Sequence, residues 1–132
     1  MHEHFLLKLP NNIALDKAGP ILCAGITLYD PLRHWGATKG VKMTIGIIGV
    51  GGLGTMGIKL AKALGHQVVA VSTSASKEQL AKDKGADVFV VSSDNQSVTA
   101  AAGTCDLILN TVSGNHDINT YLPLLAKNAT IV

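Results

Sequence analysis

The run Gly49-Val50-Gly51-Gly52-Leu53-Gly54 constrains this 132-residue chain more than any other feature. It follows 42–48, which after Lys42 is apolar apart from Thr44. It opens 53–64, where Met56, Leu60, Ala63 and Leu64 form a stripe of helical period and Gly65 supplies the stop. A strand, this turn and a helix in register are the context in which G-x-G-x-x-G is a dinucleotide fingerprint. Gly49 permits the tight turn, Gly51 lets the backbone approach a pyrophosphate, and Gly54 lets the helix pack closely on the strand. The first-turn amides, with Gly52 and Leu53 among them, then point at the anion. Gly57, one turn later, keeps the same packing face small. A glycine-rich turn that binds nothing is the plainer alternative, and the register of strand, motif and helix weighs against it.

From residue 41 the chain alternates short β-branched runs with segments of helical period. Strands are predicted at 42–48, 67–71, 87–91, 106–109 and 129–132. Helices are predicted at 53–64, at 76–84 with Ser76 as N-cap and Gly85 as stop, at 95–102 and at 118–125. Right-handed crossovers make this an α/β, doubly wound parallel sheet of Rossmann-like type, order 3-2-1-4-5. Apolar residues at 47% with only 4% aromatics point to a core of small aliphatics, which a parallel sheet covered on both faces uses. Residues 1–40 stand outside this rhythm and carry three of the four prolines. They predict a short strand at 5–9 and a helix at 20–35, begun by Pro20 and disturbed near Pro31. The opening strand lacks a visible partner and the last strand has just begun at residue 132, so the sequence is expected to be part of something longer.

A formal charge of +2 with no single-sign run argues against nucleic acid as a partner. No apolar run approaches the ~20 residues of a membrane span. Two cysteines far apart, with no apolar leader, argue against a disulfide framework and place the chain in the cytosol by expectation. His2-Glu3-His4 reads as a disordered terminus rather than a metal site, Cys105 as core, and His34, His66 and His116 have no carboxylate at a ligand-like spacing.

About twenty residues past the glycine turn, where an NAD site places an acid on the ribose, the sequence has Ser72. Ser72, Thr73 and Ser74 with Lys77 offer hydroxyls and one cation, and no carboxylate stands there to repel a 2′-phosphate. That favours NADP(H). A polar turn capped by Ser76 is the alternative, and Lys77 alone suits either cofactor.

Leu22-Cys23-Ala24-Gly25-Ile26-Thr27-Leu28-Tyr29, Pro31-Leu32-Arg33-His34-Trp35-Gly36, the glycine turn, Lys59-Leu60-Ala61-Lys62-Ala63-Leu64-Gly65 and Gly85-Ala86-Asp87 together resemble the zinc-dependent medium-chain alcohol dehydrogenases. The cinnamyl-alcohol-dehydrogenase-like branch is the most similar, and the resemblance covers almost the whole chain. It implies that 1–40 is the end of the catalytic, GroES-like domain with its connecting helix, and that 41–132 is part of the cofactor domain. Cys23 would be a catalytic zinc ligand, with the start of a helix stabilising its thiolate, and Thr27 would contact the nicotinamide end of the cofactor. Ser72, Thr73 and Lys77 match the 2′-phosphate contacts, and Thr111, Val112 and Ser113 match the segment beside the nicotinamide ribose. The activity implied is hydride transfer between alcohol and aldehyde, in a homodimer or larger assembly. The family's other two zinc ligands and its four-cysteine lobe have no counterpart here, so this chain alone is expected to be catalytically incomplete. A nucleotide-binding module without catalysis is the alternative. Cys23 disfavours a third reading, a zinc-free quinone reductase.

Overall fold

The computed structural model describes residues 2–132. Parallel strands β1 (Thr44–Ile48), β2 (Gln67–Ser72), β3 (Val88–Val91), β4 (Cys105–Asn110) and β5 (Leu125–Ile131) pair in the order β3-β2-β1-β4-β5. This is the doubly wound sheet that the sequence predicts. Alternation along each strand divides the core in two. Ile45, Ile47, Val68, Ala70, Leu107 and Leu109 lie on one face, under α1 (Leu15–His34), α2 (Gly52–Ala63) and α3 (Glu78–Lys84). Ile48, Val69, Val71, Val90, Cys105 and Ile108 lie on the other, with Val98 of α4 (Asn95–Ala100), Tyr121 and Leu124. Gly46 admits this packing, because a Cβ there would stand 2.9 Å from Ile108 Cγ1 and 3.1 Å from Cys105 Sγ. Burial in turn pushes the Cys105 thiol above its usual pKa.

The first forty residues depart from expectation. No strand forms at 5–9: Glu3–Phe5 closes a single 3-10 turn, and Phe5, Leu6 and Leu7 stay exposed with no strand beside them among the described residues. The helix begins at Leu15, well before Pro20, so both Pro20 and Pro31 lie inside it. Packing outweighs the cost of the prolines: Leu28 and Leu32 sit in the same core as Ile45 and Ile58. Gly57 makes room, since a Cβ at that position would come within 3.0 Å of Leu28 Cδ1. The return to β1 is tied down by His66, only 3% exposed. Its Nε2–H donates to the Ala37 carbonyl at 2.7 Å and its Nδ1 accepts the Met43 N–H at 3.2 Å.

Three further elements differ. Ser76 does not cap α3; it lies in a 3-10 turn, Ala75–Lys77, with its Oγ 2.8 Å from Ser74 Oγ. In place of a helix at 118–125 there are two 3-10 turns, Ile118–Thr120 and Leu122–Leu124. Pro123 has no N–H for an α-helical bond, and burial of Tyr121 and Leu124, three apart, suits the tighter turn. β5 consequently starts at Leu125 rather than 129, and its register shifts between Cys105 and Leu107. Asn128, at φ +62°, lies in that stretch, in the left-handed region that asparagine tolerates best after glycine.

Candidate functional site

The strand order reverses at the parallel neighbours β1 and β4, since the chain runs on from β1 to β2 on one side and from β4 to β5 on the other; such switch points hold ligands in open α/β sheets. The glycine turn occupies this place. Gly49 has φ +91°, its N–H donates to the Val71 carbonyl at 2.8 Å, and its carbonyl lies beneath α2. A Cβ on Gly54 would run into that carbonyl oxygen, so the close seating of helix on turn requires glycine there. Gly51 and Gly52 are the reverse case: both are exposed, and a Cβ on either would meet nothing. Gly51 is the N-cap and has no side chain with which to cap the first-turn amides of α2, while Leu53 is 38% exposed. An uncapped helix N-terminus with a bare approach fits a pyrophosphate.

Around this turn the structure gathers the ends of β2 and β4. Ser72 closes β2 half-buried, and its Oγ accepts the Ser74 N–H at 3.2 Å. Ser93 Oγ–H donates to the Thr73 carbonyl at 3.4 Å. Thr73, Ser74 and Lys77 are exposed, and Lys77 forms no ion pair among the described residues. Beyond β4, Thr111 and Val112 pack on the glycine turn and Ser113 is exposed one residue further. The Thr111 hydroxyl faces inward: Oγ1 donates toward the Ile48 carbonyl at 2.8 Å and the Gly49 carbonyl at 3.1 Å.

Sequence reasoning set His116 aside for want of a carboxylate and did not pair it with Asn110. Asn110 Oδ1 accepts the Val112 N–H at 3.2 Å and its Nδ2 meets His116 Nε2 at 2.9 Å. His116 Nδ1 in turn lies 2.7 Å from the Gly114 carbonyl. An asparagine closing an apolar strand is a turn-forming signal that was open to sequence reading.

Cys23 and Thr27 are exposed on α1. Cys23 lies more than two turns into the helix, so the premise that helix-start amides stabilise its thiolate does not hold. Thr27 Oγ1 donates to the Cys23 carbonyl at 2.8 Å, the local back-bond of a helical threonine. A catalytic zinc takes three protein ligands, and no group of three His, Cys, Asp or Glu converges among the described residues. These residues do not by themselves form a zinc site.

Sheet order, crossovers and turn define a doubly wound, Rossmann-like unit, the class that places a glycine turn at its switch point. The family model for zinc-binding dehydrogenases matches residues 52–132, over half of the chain, and the chain belongs to that family. It is 47% identical over 131 residues to a probable mannitol dehydrogenase of Fragaria ananassa, a match covering 98% of this chain and 36% of that one. A cinnamyl alcohol dehydrogenase from Sorghum bicolor superposes with a TM-score of 0.88 at 40% identity, over 95% of this chain and 35% of the other. The protein called CAD from Helicobacter pylori, solved with NADP(H), gives 0.82 at 33% identity over 98% and 35%. The chain thus spans little more than a third of the length of the relatives it matches. Among the described residues no helix is long and apolar enough to cross a membrane.

Proposed function

We propose that this chain is the NADP(H)-binding portion of an alcohol dehydrogenase or aldehyde reductase acting on small alcohols or aldehydes. One observation carries the reading: the bare approach at Gly51 and Gly52 in front of an uncapped helix whose Gly54 is seated on the Gly49 carbonyl. When bound, the nicotinamide supplies or accepts the hydride. The chain's own part is positioning. First-turn amides at 52–54 hold the pyrophosphate; Ser72, Thr73, Ser74 and Lys77 receive the 2′-phosphate, with no carboxylate among them to repel it. Val112 and Ser113 flank the nicotinamide ribose, and Thr27 lies toward the ring, both by resemblance to the family. Cys23 is assigned to zinc on the same ground, as one ligand of a set completed elsewhere. Residues 1–40 then belong with the catalytic domain and 41–132 with the cofactor domain, in a cytoplasmic enzyme that is a homodimer or larger.

The second reading, a nucleotide-binding module without catalysis, needs only the open glycine turn and the uncapped start of α2. Calorimetric titration of the chain with NADPH and separately with NADH, alongside metal analysis, tests both. Preference for NADPH with little zinc is the expected result. Binding of neither removes the cofactor role from this chain, and stoichiometric zinc overturns the statement that its metal site is incomplete.

A further inference from the structure

We infer that Thr111 is a positioning residue for the pyrophosphate turn rather than a contact of the nicotinamide ribose, an inference that rests on the dinucleotide reading above. A threonine hydroxyl has a single proton. At Thr111 that proton is shared between the carbonyl oxygens of Ile48 and Gly49, 2.8 and 3.1 Å away, which leaves none to donate to a cofactor oxygen. Its backbone N–H also donates to the Ile48 carbonyl at 3.0 Å. Gly49 is therefore gripped from three sides: β2 holds its N–H through Val71, Thr111 just beyond β4 holds its carbonyl, and Gly54 of α2 abuts the same oxygen. Thr111 Oγ1 and Val112 Cγ2 each come within 3.0 Å of where a Gly49 Cβ would stand, so the end of β4 is packed on the turn and not merely beside it. The peptide that follows Gly49 sets the direction in which the chain enters α2, and with it the aim of the amides at 52–54.

The test is a calorimetric or NMR titration of the chain and its Thr111→Val and Thr111→Ser variants. Three ligands are used: NADPH; adenosine diphosphate, which has the pyrophosphate but no second ribose; and adenosine 2′-monophosphate, which has neither. Removing the hydroxyl should weaken NADPH and adenosine diphosphate by the same factor, about 3- to 10-fold for one hydrogen bond. Adenosine 2′-monophosphate should be unaffected. Thr111→Ser keeps the hydroxyl and should bind all three as the parent does. A loss confined to NADPH would return Thr111 to the ribose, and no loss, or equal loss for all three, would likewise overturn the assignment. Should the valine variant fail to fold, a folded serine variant with weakened adenosine diphosphate binding would overturn it as well. Failure of the parent chain to bind any of the three removes the dinucleotide reading, and this role with it.

Discussion

Lys62 Nζ lies 2.5 Å from Asp87 Oδ1, joining the last turn of α2 to the turn before β3, while Asp87 Oδ2 accepts the Val68 backbone N–H at 2.8 Å. The hydrogen bond from Lys62 holds the Asp87 carboxyl below its ordinary 3.8; burial opposes this and the Val68 N–H assists it. A carboxylate with a folded pKa below its unfolded one contributes fully above the unfolded value, and that contribution is lost as pH falls through the folded value. The two side chains are 46% and 35% exposed, so solvent screening limits the pair to about 0.2–1 kcal/mol. Asp87→Asn should cost that much in urea unfolding at neutral pH. The gap should close as pH falls below 3.8, and a deficit undiminished in acid would assign the effect to the backbone bond alone.

Gly54→Ala introduces a Cβ where the Gly49 carbonyl oxygen now sits, and both neighbours are backbone that can move only by lifting α2 off the turn. We expect a loss of about 1–3 kcal/mol in thermal unfolding. NADPH binding should weaken by at least about tenfold, or 1.4 kcal/mol. A variant with parental affinity would show that seating of the helix does not govern the site.

Ser72→Asp puts a carboxylate at the end of β2, where its oxygen can still accept the Ser74 N–H. It should move the ratio of NADPH to NADH dissociation constants toward NADH by about tenfold or more, through repulsion of the 2′-phosphate and a new bond to the ribose hydroxyl. Unchanged relative affinities would remove Ser72 from the specificity turn.

Much of this fold is legible because the sequence is locally consistent. In 44–72 an apolar strand, a glycine turn, an amphipathic helix stopped at Gly65 and a second apolar strand each agree with the tertiary result, down to the order of the sheet. Where local and tertiary preferences diverge, legibility ends. Phe5, Leu6 and Leu7 have strand-like composition, but a strand needs a neighbour, and none lies beside them among the described residues. The spacing of Ile118, Tyr121 and Leu125 satisfies a helical template, yet Pro123 and the paired burial of Tyr121 and Leu124 select 3-10 turns. At the site, Gly49 and Gly54 are fixed by what a side chain would strike and Gly51 and Gly52 by the space they leave open, and the spacing of the motif encodes both. The direction of the Thr111 hydroxyl depends on contacts across 63 residues of chain, and no local signal carries it.

Gly46 leaves a space that Cys105 Sγ and Ile108 fill, while Cys23 stands exposed on α1, and the molecule thereby holds two thiols of opposite accessibility. A thiol-specific alkylating reagent should modify Cys23 promptly in the native state and reach Cys105 only as often as the sheet opens. Mass spectrometry of the labelled chain would then count one adduct per folded molecule and two per unfolded one. The folded fraction becomes a stoichiometry, readable in a mixture without any introduced probe.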